Sequence, residues 1–295
     1  MARTGAIRIG ISGWTYAPWR GKFYPKGLVR KRELFHASRI FRSIEINGTF
    51  YGQQTPESFA HWAAEVPEDF VFAVKAPRFI THVRRLKDAK APLANFIASG
   101  VLRLGAKLGP ILWQLPPNFR FDPARLEPFL ALLPQDTDEA KRLARSHDDR
   151  LRSPPWTRVE RQAPLRHAIE VRNDSFVAAE FIDMLRAYRV ALVCADTVDW
   201  PRLMDVTADF VYCRLHGSRK LYVSGYSEKA LRDWADRVTA WARGGEPQGT
   251  ERAVDRPAPK RKARDVFVYF DNDMKVRAPA NALRLEELVA SRLAG

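Results

Sequence analysis

Eight short apolar runs, each turning polar or charged at its C-terminal end, are spread along the chain with helix-like stretches between them. They are Ile7–Ser12, Ser43–Asn47, Phe70–Lys75, Ile111–Gln114, His167–Arg172, Val190–Asp196, Phe210–His216 and Val266–Asp273. A strand that becomes polar only at its C-terminal tip suits a (β/α)8 barrel, whose reactive groups line that rim. The stretches between carry helix signals. Thr55 offers a capping hydroxyl before Pro56, and Phe59, Trp62 and Ala63 follow on one face. Phe181, Met184, Leu185 and Tyr188 form another stripe, as do Leu231, Trp234, Ala235, Val238 and Trp241 after Ser227. A last helix runs from near Pro279 to about Leu293.

Strands alternating with such helices indicate βαβ units and a parallel sheet. The fold expected is α/β, a single (β/α)8 TIM-like barrel domain over residues 1–295. No Gly-x-Gly-x-x-Gly follows any strand, which removes the main support for a dinucleotide-binding fold. Two stretches break the rhythm. Residues 135–166 mix both charge signs around Ser153-Pro154-Pro155, and 244–264 are rich in Gly, Pro and basic residues, ending in Pro259-Lys-Arg-Lys-Ala-Arg264. Their poverty in apolar residues marks them as charged, partly mobile insertions. Lys260, Arg261 and Lys262 read as a solvated loop that could touch a polyanion.

The hydrophobic content of 46% fills an ordinary core. No apolar run is long enough to span a bilayer and no signal-peptide core opens the chain, so a cytoplasmic location without membrane association is expected. Cys194 and Cys213 sit inside apolar runs and read as buried, reduced thiols. The net charge is +15, and residues 1–110 hold 18 Lys/Arg against 7 Asp/Glu. Such a field favours anionic partners: nucleic acid, phosphorylated metabolites or acidic molecules. An arginine-rich composition without functional meaning would give the same surplus.

Residues two apart on a strand share a face, so Glu45 with Asn47, Glu170 with Arg172, and Arg214 with His216 are paired on the lumen side. Lys75, Gln114, Asp196 and one or both of Asn272 and Asp273 join them at the C-terminal rim. Charges inside apolar strands carry a large desolvation cost unless paired or functional, which singles these out from surface charges. Glu45, Glu170, Asp196 and His216 are the acid/base candidates, His216 because an imidazole titrates near neutrality. Gly217 beside it permits a tight turn. Lys75, Arg172 and Arg214 would hold an anion. The competing structural reading pairs Glu45 with Lys75, Glu170 with Arg172 or Arg214, and Asp196 with the remaining cation.

Trp14, Tyr16, Trp19, Phe23, Tyr24, Phe50 and Tyr51 follow the first two strands, with Arg20, Lys22 and Lys26 among them. They suit a wall over a small-molecule pocket better than a base-stacking platform, though both are open. His82, after the third strand, is a further candidate, whereas His36 and His61 fall on helices. Tyr222, Gly225 and Tyr226, with Arg219 and Lys220, follow the seventh strand, where barrels often bind phosphate.

Several motifs resemble the YecE-like family (domain of unknown function 72). They are Gly10-Ile-Ser-Gly-Trp14 with Tyr16, Trp19 and Phe23-Tyr-Pro25; Glu45-Ile-Asn-Gly-Thr-Phe-Tyr51; Val74-Lys75 with Thr81-His82; Gln114-Leu-Pro-Pro117 with Phe119; Arg214-Leu-His-Gly217; and Tyr269-Phe-Asp-Asn-Asp273 with Asn281-Ala282. The resemblance spans the chain apart from the two insertions. It implies a TIM barrel and supplies no activity. Gly48, Asn173, Phe176 and Asp271 stand where the family usually has Ser, His, Trp and Asn.

Three chemistries compete for these residues. Glu45, Glu170, Asp196, His216 and Asp273 could ligate a divalent metal, but Lys75, Arg172 and Arg214 at the same strand ends would repel it, and no His-x-His or His-Glu-x-x-His spacing occurs. No cofactor is therefore expected. A desolvated Lys75 could form a Schiff base, but nearby carboxylates would keep it protonated, so an electrostatic role is expected. The leading expectation is an enzyme for a small, polar, anionic substrate. A nucleic-acid binder or processor, and a barrel that binds ligand without turnover, are the alternatives. Substrate, reaction class and oligomeric state are not legible in the sequence.

Overall fold

The computed structural model describes residues 4–217 and 221–294. Its strands are β1 (Ile7–Ser12), β2 (Ser43–Ile46), β3 (Val71–Lys75), β4 (Leu108–Gln114), β5 (His167–Glu170), β6 (Ala191–Asp196), β7 (Phe210–Leu215) and β8 (Asp265–Phe270). Each pairs in parallel with the next, and β8 returns to β1 through Ile7 to Ile11 against Val266 to Phe270, closing the barrel. The α-helices are α1 (Glu33–Ile40), α2 (Gly48–Tyr51), α3 (Pro56–Glu65), α4 (Lys90–Ala98), α5 (Pro123–Leu132), α6 (Thr137–Ala144), α7 (Ala179–Ala187), α8 (Glu228–Ala242) and α9 (Arg277–Ala294). This is the (β/α)8 TIM-like barrel that the eight polar-tipped runs imply. No helix of the described residues is long and apolar enough to cross a membrane.

Two separate cores result from the two faces of each strand. The lumen is filled by Ala73, Leu112, Ala168, Ala191, Val193 and Ala195 opposite Phe210, Tyr212, Phe267 and Tyr269. Small side chains on β3 to β6 leave room for the four rings of β7 and β8. The alternate residues, such as Ile44, Phe72, Trp113 and Cys213, pack against the helices. Gly10 lies on the lumen side of β1, where a Cβ would stand 1.9 Å from the Ser43 carbonyl oxygen. Cys194 and Cys213 are register partners on β6 and β7, buried and free.

Helix starts follow the caps. Thr55 Oγ1 accepts from Ser58 N (3.3 Å) ahead of α3, and Ser227 Oγ accepts from Ala230 N (3.2 Å) ahead of α8. Leu231, Trp234, Ala235, Val238 and Trp241 form the buried face of α8. Within 135–166 the chain is more ordered than its composition suggests. Asp136 accepts from Glu139 N (2.8 Å) while Glu139 accepts from Gln135 N (2.7 Å), a reciprocal capping arrangement that starts α6. Ala140 and Ala144 bury the inner face of α6, and Trp156 N donates to the Ala98 carbonyl at the end of α4. The 244–264 stretch is irregular but held: Asp205 accepts from Ala253 N and Val254 N, and Val254 and Ala258 are buried. Lys260, Arg261 and Lys262 are exposed just ahead of β8, at the end of the barrel opposite the strand tips.

Candidate functional site

Above the aromatic floor of the lumen the strands turn polar together. Tyr212 donates to Glu45 Oε2 (2.5 Å), and Ser12 donates to Glu45 Oε1 (2.9 Å). Arg214, one turn of the pleat further on, is wholly buried and is the hub of the next layer. It donates to Glu45 through Nε (3.1 Å) and Nη2 (2.9 Å), to Glu170 through Nη1 (2.7 Å), and to Asp271 through Nη2 (2.8 Å). A planar guanidinium has five N–H donors in a fixed fork, so one arginine can bind three carboxylates from β2, β5 and the tip of β8. Burial alone would push its pKa down; Glu45, Asp271 and Glu170 outweigh that and hold it charged.

Glu170 has further partners. Gln114 donates to it at 3.0 Å and Arg172 at 2.7 Å. Burial opposes its ionisation, but Arg172 and Arg214 hold its carboxyl well below the usual range. Arg172 also donates to the Tyr222 hydroxyl (3.2 Å) and lies 4.2 Å from the Trp200 ring centroid. His216 is enclosed between the Trp200 and Tyr222 rings, with Nδ1 3.0 Å from Asp271 and Nε2 3.8 Å from Glu170. Burial pushes its pKa down despite Asp271, which favours neutral imidazole. Gly217 follows at φ +116°, a conformation few other residues adopt, and its N–H donates to the Tyr226 hydroxyl.

Two acids at the tip of β8 behave oppositely. Asp271 is buried, yet Arg214 and His216 hold it ionised. Asp273 is pushed well up by burial and by the charge of Asp271 beside it, so of the two it is the one that favours the protonated form. Two close carboxyls cannot both ionise cheaply, and environments that drive their pKa values apart create a donor beside an acceptor. Tyr16, with its hydroxyl on the Ser12 carbonyl (2.5 Å), lies over this pair, and burial with Asp273 and Asp271 pushes its pKa up. Asn47 sits beside Tyr16, and its Oδ1 is buried without a hydrogen bond among the described residues.

Lys75 completes the layer from β3. Its Nζ lies 4.2 Å from the Phe50 ring centroid, and among the described residues it makes no ion pair. Burial and the charge of Arg214 push its pKa down to about 8, against the weaker pull of Asp271, Glu45 and Glu170. The sequence suggested that carboxylates would keep this lysine protonated; the arginines hold them instead. His82, on a single π-helical turn over Phe79–Val83, packs edge-on to Phe50, and burial with Lys75 and Arg172 nearby lowers its pKa to about 4.

Of the residues singled out from sequence, Glu45, Lys75, Gln114, Glu170, Arg172, Arg214 and His216 meet in this cluster, bordered by Tyr16, Asn47, His82 and Asp273. Four do not. Asp196 has the helix-facing parity of Leu192 and Cys194 and is held by Arg202 (2.8 Å) and Trp234 Nε1 (3.1 Å). Tyr226 lies on that same outer side, against Phe270. Asn272 also points outward, donating to Ser224 O (3.0 Å) and Asn281 Oδ1 (3.1 Å). Trp14 packs on Trp62 and Phe72 outside the barrel. Tyr51 is 73% exposed, beside a cavity of about 550 Å³ that Phe50, Arg78 and Phe79 also line. Trp19 and Tyr24 are fully buried, so most of the early aromatics are packing. Arg219 and Lys220 lie outside the described residues.

Asp271 and Tyr212 were missed, although counting by two from Tyr269 on β8 and back from Arg214 on β7 finds both. Among the described residues no group of three His, Cys, Asp or Glu is arranged to hold a metal ion. The guanidinium of Arg214 fills the space that Glu45, Glu170 and Asp271 enclose.

A closed parallel barrel with a buried charge cluster over its aromatic floor defines a TIM-like barrel protein. The chain belongs to the family described as "Protein of unknown function DUF72", whose model matches residues 8–294. It is 27% identical to the UPF0759 protein YecE of Escherichia coli (strain K12) over 113 residues, 38% of this chain and 39% of that protein. It is 30% identical to the UPF0759 protein YunF of Bacillus subtilis (strain 168) over 124 residues, 38% of this chain and 41% of that one. These alignments thus span about two-fifths of the curated relatives. The fold matches the crystal structure of a DUF72 family protein from Thermotoga maritima MSB8 with a TM-score of 0.72 at 24% identity, covering 97% of this chain and 99% of that one. A DUF72 family protein from Enterococcus faecalis V583 matches at 0.66 and 18% identity, covering 98% and 99%.

Proposed function

We propose that this chain is an enzyme that takes a small, polar, anionic substrate at the C-terminal mouth of the barrel. One observation carries the reading: Lys75 is a buried lumen cation that no carboxylate among the described residues pairs with, although three carboxylates lie in its layer. An uncompensated buried charge is costly, and an incoming anion would remove that cost. Arg172, held at the rim by Glu170, Tyr222 and Trp200, supplies the second cationic contact. Arg214 has four of its five donors engaged, so its role is to position Glu45, Glu170 and Asp271 rather than to grip substrate. Proton transfer falls to the Asp271–Asp273 pair, with neutral His216 beside it.

Thermal shift and calorimetric titration with inorganic phosphate, sulfate and small carboxylates test this. A ligand at about a hundred times its Kd adds roughly 3 kcal/mol to stability. Wild type should respond, and Lys75→Met should bind at least about tenfold more weakly. Equal binding by that variant removes Lys75 as the anchor. Retention of polynucleotide alone, falling steeply with log salt, would favour the nucleic-acid reading. Binding with no turnover of any bound ligand would favour a non-catalytic barrel.

A further inference from the structure

We propose that Lys75 is a covalent nucleophile, forming an imine with an aldehyde or ketone that carries an anionic group. The inference rests on the anion-binding reading of the same site and names the substrate class more narrowly.

Three observations converge. Lys75 sits at the C-terminal tip of β3 with no hydrogen bond or ion pair from Nζ among the described residues, so its nitrogen is not committed to a structural partner. Its neighbours disfavour the ammonium form: burial and Arg214 together lower its pKa to about 8, which leaves an appreciable free-amine fraction near neutrality. Finally, Asp273 has the lumen-facing parity of Tyr269 and Asp271, and burial with the charge of Asp271 pushes its pKa up, which suits it to donate a proton. Phe50, whose ring centroid lies 4.2 Å from Nζ, also lines a cavity of about 550 Å³ together with Thr49, Tyr51, Arg78 and Phe79.

The step balances without an oxidant or reductant. The neutral amine of Lys75 attacks the carbonyl carbon, forming a C–N bond, and a proton from nitrogen passes to the former carbonyl oxygen. The resulting hydroxyl takes the proton of Asp273 and leaves as water. Nitrogen becomes a protonated imine and Asp273 a carboxylate. The new cation offsets the second negative charge beside Asp271.

The test is reductive trapping of the full chain with sodium cyanoborohydride near pH 7.5, using pyruvate and dihydroxyacetone phosphate as probes, followed by peptide mapping. An ordinary lysine has on the order of a hundredfold less free amine at that pH. The peptide bearing Lys75 should therefore be labelled at least about tenfold faster than any other lysine peptide. No adduct at Lys75 with either probe, or labelling no faster than at surface lysines, overturns the proposal. Lys75→Arg keeps the cation and cannot form an imine. If it binds phosphate like wild type while wild type traps nothing, the anion site stands and the covalent role fails. If Lys75→Met binds phosphate like wild type, the anion anchor fails, and the wild-type adduct alone decides the covalent role.

Discussion

Replacing Arg214 by methionine should cost more than any other single change in the lumen. The side chain is fully buried and makes four charge-assisted hydrogen bonds to three carboxylates. The three are not orphaned equally. Glu170 keeps Arg172 and Gln114, and Asp271 keeps His216 at 3.0 Å, whereas Glu45 keeps only Ser12 and Tyr212. Removing one partner of a buried ionic cluster costs about 3–5 kcal/mol, so about 4 kcal/mol is expected at pH 7.5, or roughly a 10 °C drop in Tm. The pH dependence carries the sharper test. In wild type, Glu170 and Asp271 are held below the ordinary carboxylate range. Their stabilisation is present above the unfolded pKa and is lost as pH falls through the folded one. Without the guanidinium these carboxyls take up protons more readily, so the gap between the two proteins narrows below about pH 5. Adding Glu45→Gln should return about 2 kcal/mol, a coupling typical of residues in one network. Urea denaturation at pH 7.5 and pH 5 reads all of this. A loss under about 1 kcal/mol at pH 7.5, or one independent of pH, would refute the assignment of Arg214 as the hub.

Lys75→Met should stabilise the fold by about 3 kcal/mol at pH 7, because the folded state holds this lysine charged against its lowered pKa. That penalty is present below about pH 8 and is relieved as pH rises toward the unfolded lysine value, so the advantage should fade by about pH 10.5 in a denaturation series. Anion affinity in wild type should fall as pH rises through about 8, with proton uptake on binding measurable by calorimetry in buffers of different ionisation enthalpy. Asp273→Asn mimics the protonated carboxyl and should leave Tm and phosphate affinity near wild type while abolishing turnover of any substrate found. Retained turnover would remove Asp273 as proton donor. Asp196→Asn should leave phosphate affinity within about twofold, since that carboxyl faces Arg202 and Trp234 outside the lumen, with any loss confined to stability.

The order of elements was legible because it is written in local signals. Apolar runs, caps at Thr55 and Ser227 and the stripe on α8 each depend only on neighbours in sequence. α6 was hidden for the opposite reason: its charged outer face masks the small buried one, and only its capping box announces it. Parity could have been carried further. Ala191, Val193 and Ala195 mark the lumen side of β6 and so exclude Asp196, as Tyr269 selects Asp271 over Asn272.

What the sequence by itself determined is the barrel, and which strand tips bring charge to it, because alternation and strand order are properties of a linear pattern. What only the tertiary structure decided is the pairing. Glu45, Glu170 and Asp271 come from three separate places in the chain, and each could have met Lys75 or either arginine. The guanidinium of Arg214 stands where all three converge and can satisfy them at once with its planar fork of donors; an ammonium at Lys75 cannot. That competition depends on distances of a few ångströms across the closed barrel, and its outcome leaves Lys75 as a lumen cation without a carboxylate partner among the described residues.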